Sequence, residues 1–342
     1  MISRGPNTAH GRGSPVVGVI GITTPKQYQM HQRVTTQGSI AITGTYSGAV
    51  SGPIEASFNG GAYQTIVASP SGGTFSGTLT GQNVGQGTLT VRFANFPTTF
   101  ATKGTVGIGD IYVILGDSNH SGRATTSTVQ ASSNNGLVGI QYGNDGVWKP
   151  HQENTAASGA FDDPAGAIYG NGSTSAAGSY FGALSTLIMN NANMPVAFVC
   201  CGVGSTNLQQ WSDVGHGTNP FWQYGIALSR ATAMGMTHKA LLCLLGTNPV
   251  AAYTTVQDFE DAYNRIVNAW KTATGAKTVV YLAVQSQANN NTAVANVLAT
   301  NADALAGPDF VGAWTGTHYL NATDINVAAG RAWTALQALF YP

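Results

Sequence analysis

The spacing of hydrophobic residues changes near residue 106, and the change predicts two kinds of structure in one chain. Between residues 39 and 96, apolar positions such as Ile40 and Ile42 alternate with small or polar ones. Alternation with period two is typical of strands that bury one face. Beyond residue 106, continuous apolar runs recur at 111–115, 196–201, 240–245 and 278–284. Such runs are typical of parallel strands that are buried on both faces.

The N-terminal β pattern predicts a small sandwich. Two strand-like halves of the segment 54–67 flank Asn59-Gly60-Gly61, a strong signal for a hairpin turn. Further short strands are predicted at 75–79 and 89–93. Short strands at regular spacing favour an immunoglobulin-like fold, although no Cys…Trp…Cys pattern accompanies them. The predicted role is glycan contact, spacing or oligomer packing, and pure scaffolding is the alternative.

The C-terminal pattern alternates strands with helices. The clearest helix runs from about Thr255 to Thr272, with apolar residues at helical spacing and Thr255 and Asp258 placed as a capping box. Gly275 is predicted to end it, and a final helix is predicted from about Asp324 to Leu339. Strands that alternate with helices imply a parallel sheet covered on both faces. The predicted organisation is an extended arm or linker at 1–38, a small β-sandwich domain at 39–105 and an α/β domain at 106–342.

Composition narrows the classes of function. In 342 residues, Lys+Arg and Asp+Glu number 14 each, so no basic surplus favours nucleic acid. Charged residues make up 8%, against about 25% in ordinary domains. A surface of hydroxyls and amides suits an extracellular or virion-associated protein. The three cysteines lie in apolar runs and are interpreted as small buried hydrophobic residues. No cofactor or metal is expected, because no zinc-ligand spacing is present.

The same composition bears on location and assembly. No stretch is long enough to span a bilayer, and the N-terminal residues lack the apolar core of a signal peptide. We expect a homo-oligomer, or contacts with virion neighbours, made by the arm and the small β domain. Few charges offer little repulsion between packed subunits. Light scattering tests this expectation.

The most informative segment for chemistry is the run from Ile111 to Asn119. Its apolar residues lead into Gly116-Asp117-Ser118-Asn119, which indicates a buried strand that ends at a tight turn. Open α/β sheets carry their chemistry at the carboxyl ends of the strands, so Ser118 lies where a nucleophile is expected. The alternative is an ordinary Gly-Asp-Ser turn.

Three further segments complete a pattern. The pattern begins with Gly109-Asp110-Ile111-Tyr112-Val113 and the Ser118 turn. The three later segments are Gly204-Ser205-Thr206-Asn207-Leu208-Gln209-Gln210-Trp211, Gly246-Thr247-Asn248-Pro249 and Thr315-Gly316-Thr317-His318. In this order they resemble the SGNH (GDSL-type) hydrolases, nearest to the sialate O-acetylesterase-like branch found in phage tail proteins and bacterial glycan esterases. The resemblance implies a three-layer parallel-sheet hydrolase domain. Because phage fibres and spikes are usually trimers, it also favours a trimer as the oligomeric state. Thr315 and Pro249 stand where the family carries aspartates.

The resemblance also implies roles for residues. Ser118 is the expected nucleophile and His318 its base. The expected oxyanion hole consists of the backbone N–H groups of Ser118 and Gly204 and the side-chain amide of Asn248. Since Thr315 supplies no charge, His318 is oriented by a backbone carbonyl near residue 315, by Asp309 or Asp324, or by nothing.

Substrate contacts are predicted around these residues. Asn119 and the aromatic residues Tyr142, Trp148 and Trp211 are candidates, the aromatics either as a sugar platform or as partial core. The polar stretch from His120 to about Gly178 is expected to form one wall of the cleft.

Together these features predict a metal-independent serine esterase that removes small acyl groups, above all O-acetyl, from a glycan or a small ester. The alternative is a virion or surface structural protein that binds glycan without hydrolysing it. The absent aspartates favour the second reading. The presence of Ser118, Gly204, Asn248 and His318 favours the first.

Overall fold

The computed structural model describes residues 18–120, 135–143, 146–151, 179–204, 206–212, 228, 231–232, 234–235, 237–283, 288–316 and 321–342. The chain forms two compact units. Within the described residues, the first comprises 18–25, Ala41–Leu79 and Thr88–Lys103, and the second comprises Lys26–Ile40, Thr80–Gly87 and the described residues of Gly104–Pro342.

The strands, in chain order, are β1 (Val19–Thr24), β2 (Met30–Gln32), β3 (Gln37–Ser47), β4 (Ile54–Phe58), β5 (Gln64–Val67), β6 (Thr74–Asn83), β7 (Gly85–Phe93), β8 (Phe96–Gly116), β9 (Ile140–Tyr142), β10 (Trp148–Pro150), β11 (Val196–Cys200), β12 (Ala240–Leu244), β13 (Lys277–Leu282) and β14 (Ala304–Asp309). The helices are α1 (Phe181–Ala192), α2 (Leu208–Ser212), α3 (Val256–Thr274), α4 (Asn290–Thr300) and α5 (Ala322–Phe340).

The first unit contains the predicted hairpin. Strands β4 and β5 pair antiparallel, with Ala56 opposite Gln64. The turn between them contains Asn59 and Gly60, both with positive φ, as a tight hairpin turn requires. Strand β4 also pairs antiparallel with β7. The predicted strands are confirmed, and the immunoglobulin type of the domain stays a prediction.

The second unit is built on a sheet with the strand order β10-β9-β11-β8-β12-β13-β14. From β9 to β14 every neighbouring pair in this order is parallel, and β10 pairs antiparallel with β9. The predicted apolar runs therefore form strands of one sheet, and the domain has a mixed α/β fold. The fold class is confirmed at this level.

Helices cover both faces of this sheet. Along β8, Ile111, Val113 and Leu115 belong to a core shared with α2, α3 and α4. The intervening Tyr112 and Ile114 belong to a second core shared with α1 and α5. Alternate residues thus face opposite helical layers, which explains why the strands are continuously apolar in sequence.

Helix α3 has the predicted ends. The Thr255 hydroxyl accepts from the Asp258 backbone N–H at 3.2 Å, and the Asp258 carboxylate accepts from the Thr255 backbone N–H at 2.8 Å. At the other end, Gly275 is left-handed and its N–H donates to the Lys271 carbonyl at 2.8 Å. Both the capping box and the glycine stop are confirmed.

The segment 26–40 belongs to the second unit, although the sequence analysis placed residues 26–38 in an arm and residues 39–40 in the β-sandwich domain. Strand β2 pairs parallel with β8, Met30 opposite Gly107. The Arg33 guanidinium forms a two-pronged contact with the buried Asp110 carboxylate, with distances of 3.0 Å from Nε to Oδ1 and 2.9 Å from Nη2 to Oδ2. Composition does not predict this packing, because a short strand and a few polar side chains make it. Residues 1–17 of the predicted arm lie outside the described residues.

Two further predictions can be compared with the structure. Cys201 and Cys243 are free and buried, as expected, and the Cys200 side chain lies outside the described part. None of the helices in the described part is long and apolar enough to cross a membrane.

Candidate active site

Ser118 lies in a tight turn immediately after β8 and is 5% exposed. The Asp117 backbone N–H donates to the Leu244 carbonyl at the end of β12, 3.2 Å away. The His120 backbone N–H donates to the Asp117 carbonyl at 3.0 Å, and the Asn119 N–H donates to the Asp117 carboxylate at 3.1 Å. The turn is therefore fixed both internally and to the neighbouring strand.

Gly116 is required by close packing at the start of this turn. A Cβ atom there would lie 2.5 Å from the Leu244 carbonyl oxygen and 2.7 Å from the His120 Cβ. Real Cβ atoms do not approach a backbone oxygen this closely, so the sequence needs glycine at this position.

The segment that carries Gly204 runs beside the end of β8. The Cys201 N–H donates to the Ile114 carbonyl and the Val203 N–H to the Gly116 carbonyl, each at 2.9 Å. Gly204 follows directly and is buried. Beyond it, the Thr206 hydroxyl donates to the Val203 carbonyl at 2.7 Å, which closes the loop.

Asn248 follows β12, and its side chain is held by this same loop. One N–H of its amide donates to the Thr206 carbonyl at 2.7 Å. An amide group has two N–H bonds, so the second is available to another acceptor. Gly246, two residues earlier, has φ +102°, a conformation that favours glycine.

Ser118, Gly204 and Asn248 thus follow β8, β11 and β12, which are adjacent and parallel. Carboxyl ends of parallel strands meet at the same edge of a sheet. The fold therefore brings these three predicted site residues to one edge, in the chain order that the sequence analysis gave them.

His318 lies outside the described residues, in the connection between β14 and α5. Its separation from Ser118 and the partner of its Nδ1 therefore stay predictions. The two carboxylates named as possible orienting groups are described. Asp309 accepts from the Val311 N–H at 2.8 Å, and the Asp324 N–H is capped by the Asn321 side chain at 3.0 Å.

Two buried titratable groups flank Ser118. Burial raises the pKa of Asp117 to about 6, although hydrogen bonds from Asn119 and Thr247 act in the opposite direction. Burial lowers the pKa of His120 to about 3, so its ring is neutral at ordinary pH. In the sequence analysis Asp117 appears only as part of the Ser118 turn, and His120 only as the first residue of the stretch expected to form one wall of the cleft.

The predicted substrate contacts are largely buried. Asn119 and Trp211 are 0% exposed, Tyr142 is 7% exposed and Trp148 is 6% exposed. The Trp211 indole N–H donates to the Thr206 hydroxyl at 2.8 Å. The three aromatic residues belong to the core, which favours the partial-core interpretation over a sugar platform. Most of the stretch 120–178, the predicted wall of the cleft, lies outside the described residues.

The residues that sequence reasoning missed are aromatic and lie far apart in the chain. Tyr180 and Tyr281 contact His120, yet nothing in their local sequence separates them from ordinary core residues. Among the described residues, no group of three or more His, Cys, Asp or Glu side chains could hold a metal ion.

The fold is a mixed α/β domain, consistent with a hydrolase, and comparison with known families gives its class. The model of the carbohydrate esterase family described as sialic acid-specific acetylesterase matches residues 108–323, more than half of the chain. The chain therefore belongs to this family and is a carboxylic ester hydrolase. The resemblance to the sialate O-acetylesterase-like branch is confirmed.

Solved structures agree with the fold. A carbohydrate acetylesterase from Xanthomonas citri is 14% identical with a TM-score of 0.58, covering 94% of this chain and 76% of that one. A protein from Arabidopsis thaliana is 14% identical with a TM-score of 0.52, covering 68% of this chain and 99% of that one. At these identities the likeness shows a shared fold. No curated protein matches the chain.

Proposed function

We propose that this protein hydrolyses small acyl esters, above all O-acetyl groups, on a glycan. The observation that carries the proposal is the convergence of Ser118, Gly204 and Asn248 at the carboxyl ends of three adjacent parallel strands. The family match and the carbohydrate acetylesterase from Xanthomonas citri support an acetylated sugar as the substrate class.

The proposed reaction has two halves. The Ser118 Oγ attacks the acyl carbonyl carbon while His318 takes its proton. The tetrahedral intermediate collapses, the C–O bond to the sugar breaks, and His318 returns the proton to the leaving sugar oxygen. Water then attacks the acyl-serine, again giving its proton to His318. Acetate leaves when the serine oxygen recovers that proton.

The oxyanion of each tetrahedral intermediate needs donors that are already in place. We assign these to the backbone N–H groups of Ser118 and Gly204 and to the second N–H of the Asn248 amide. The bond from Asn248 to the Thr206 carbonyl supports this assignment, because it restrains the amide beside the loop that carries Gly204.

His318 is proposed to be oriented by a main-chain carbonyl, because Thr315 stands where the family pattern has an aspartate. A carbonyl fixes the imidazole tautomer but offers only a dipole to the positive charge that develops on the ring. The dyad is therefore expected to work more slowly than a triad. An Asp carboxylate bonded to Nδ1 in a crystal structure would refute this part of the proposal.

The decisive experiment is hydrolysis of p-nitrophenyl acetate and release of acetate from an acetylated sugar, with the wild type beside Ser118→Ala. The hydrolysis rate of Ser118→Ala is expected to fall to that of the uncatalysed background. Asn248→Ala is expected to lose on the order of a hundredfold in kcat, the effect of removing one oxyanion donor. Equal rates for wild type and Ser118→Ala, with both proteins folded, would contradict the proposal.

The departures at Thr315 and Pro249 favour a second candidate, a catalytically weakened member of the family that serves mainly to bind acylated glycan on a virion or other surface. This candidate predicts the same glycan affinity for wild type and Ser118→Ala, with a wild-type turnover only slightly above that of the serine variant. Calorimetric titration with the acetylated sugar, beside the rate measurements, separates the two.

A further inference from the structure

A buried histidine two residues after the proposed nucleophile makes hydrogen bonds with both ring nitrogens. His120 is 0% exposed. Its Nδ1 lies 3.0 Å from the Leu115 carbonyl oxygen and its Nε2 lies 2.8 Å from the Tyr180 hydroxyl. A carbonyl oxygen can only accept, so Nδ1 carries the proton, and in the neutral ring Nε2 accepts the hydroxyl proton of Tyr180. A phenol has one proton to donate, so the contact of 3.4 Å between the Tyr180 and Tyr281 hydroxyls then has Tyr281 as its donor. The surroundings thus fix a single neutral tautomer.

The bond to Leu115 closes the turn that carries Ser118. Leu115 is the penultimate residue of β8, so the imidazole reaches back across the turn to the strand from which it leaves. The ring packs against Gly116, where a Cβ atom would come within 2.9 Å of Nδ1. The ring therefore contacts the backbone that precedes Ser118 and is carried by the backbone that follows it.

Aromatic contacts connect the same ring to the segment that leads to His318. The ring centroids of His120 and Tyr281 are 5.0 Å apart at 85°. Phe310 packs edge-on against Tyr180 and Tyr281, with ring centroids 5.6 and 5.4 Å away. Its ring is tilted at 59° to that of Trp314, 5.2 Å away. Trp314 precedes His318 by four residues, so one cluster of packed rings contacts both the Ser118 turn and the described part of that connection.

We propose that His120 is a positioning residue of the esterase site, which holds the Ser118 turn through Leu115 and couples it through Tyr180 to the ring cluster that ends at Trp314. The inference rests on the proposed function. A reacting serine that is misplaced by about 1 Å loses on the order of a hundredfold in rate. The low pKa of His120 agrees with a ring that stays neutral and transfers no proton.

Two substitutions at His120 separate the two hydrogen bonds. His120→Leu removes both, and His120→Asn keeps an N–H group near the Nδ1 position. His238→Leu is the matched control, because His238 is also buried, accepts the Trp270 indole N–H at 3.0 Å and precedes the opposite end of β12. Each variant is assayed on p-nitrophenyl acetate for kcat and KM, and its Tm is measured.

His120→Leu is expected to lower kcat on the order of a hundredfold with KM within a few-fold of wild type. His120→Asn is expected to recover about tenfold of that loss, since it restores the bond to Leu115. His238→Leu is expected to lower Tm by a similar amount and to leave kcat unchanged. If His120→Leu does not fold, Tyr180→Phe, which removes only the hydroxyl, is expected to lower kcat several-fold with KM unchanged.

The inference is wrong if His120→Leu melts like His238→Leu but keeps the wild-type kcat, since His120 then only packs. It is also wrong if folded His120→Asn is no faster than folded His120→Leu. In both outcomes the wild type still exceeds Ser118→Ala, so the proposed function stands. If wild type and Ser118→Ala are equally slow, the proposed function fails and the positioning role fails with it.

Discussion

At the scale of single residues, the carboxyl group of Asp117 makes the stability of the protein depend on pH. Burial raises its folded-state pKa from 3.8 to about 6. Below about pH 4 the group is protonated in the folded and unfolded states alike. Between about pH 4 and 6 only the unfolded state has released the proton, so rising pH favours unfolding.

Asp117→Asn removes this titration and resembles the protonated acid in shape. The variant and the wild type are expected to be equally stable near pH 4. By pH 7 the variant is expected to be more stable by about 3 kcal/mol, from about 1.4 kcal/mol for each unit of pKa. Urea unfolding of both proteins at pH 4, 5, 6 and 7 measures the difference. A difference that does not change over this range would contradict the assignment.

The residues that the sequence identified and those that it missed differ in the kind of contact they make. Ser118, Gly204 and Asn248 follow apolar runs, and strand ends are visible in a single sequence. His120 depends on Tyr180, 60 positions away, and on a main-chain carbonyl. The sequence around His120 indicates neither of these partners. The role of the aromatic candidates was ambiguous for a related reason. An aromatic residue such as Trp211 occurs in the sequence in the same way whether its ring packs in the core or binds a sugar.

At the scale of elements, helix α3 shows that a helix can be predicted when its ends carry their own signals. Its N-cap hydroxyl, its acidic residue at the third position and its terminal glycine all occur in sequence and in structure. Helices α1 and α4 begin without a capping bond from the side chain of the N-cap residue and without acidic residues in the first turn. They form by packing on the sheet, and the sequence analysis did not predict them.

Thr255→Ala tests the contribution of this cap. It removes the hydroxyl that accepts from the Asp258 N–H and is expected to cost about 1 kcal/mol of unfolding free energy. Thr272→Ala, which removes an exposed hydroxyl near the other end of the same helix, is the control and is expected to be nearly neutral. Chemical denaturation measures both, and kcat should not change. Equal losses of unfolding free energy for the two variants would show that the capping box adds nothing to stability.

At the scale of the whole molecule, the second unit is not continuous in sequence. It includes Lys26–Ile40 and Thr80–Gly87 as well as the described residues of Gly104–Pro342. The sequence analysis divided the chain where the hydrophobic period changes, and that division cannot reveal a short strand that returns to a distant partner. Gln32 illustrates this, because its side chain donates to Asp110 at 2.8 Å and accepts from the Ile111 N–H at 2.8 Å.

The Arg33–Asp110 pair should therefore control the stability of the second unit. The Asp110 side chain is 0% exposed, and Arg33 also donates to the Phe340 carbonyl at 3.3 Å. Arg33→Met leaves a buried carboxylate without its main partner and is expected to cost about 3–5 kcal/mol. Adding Asp110→Asn should recover part of this loss, since it removes the unpaired charge.

Lys271→Met, at a half-exposed pair with Asp303, is the control, with an expected cost of about 1 kcal/mol or less. Urea unfolding measures all four proteins. A loss for Arg33→Met no larger than that for Lys271→Met would mean that the Arg33–Asp110 pair adds no more to the stability of the second unit than an exposed pair does.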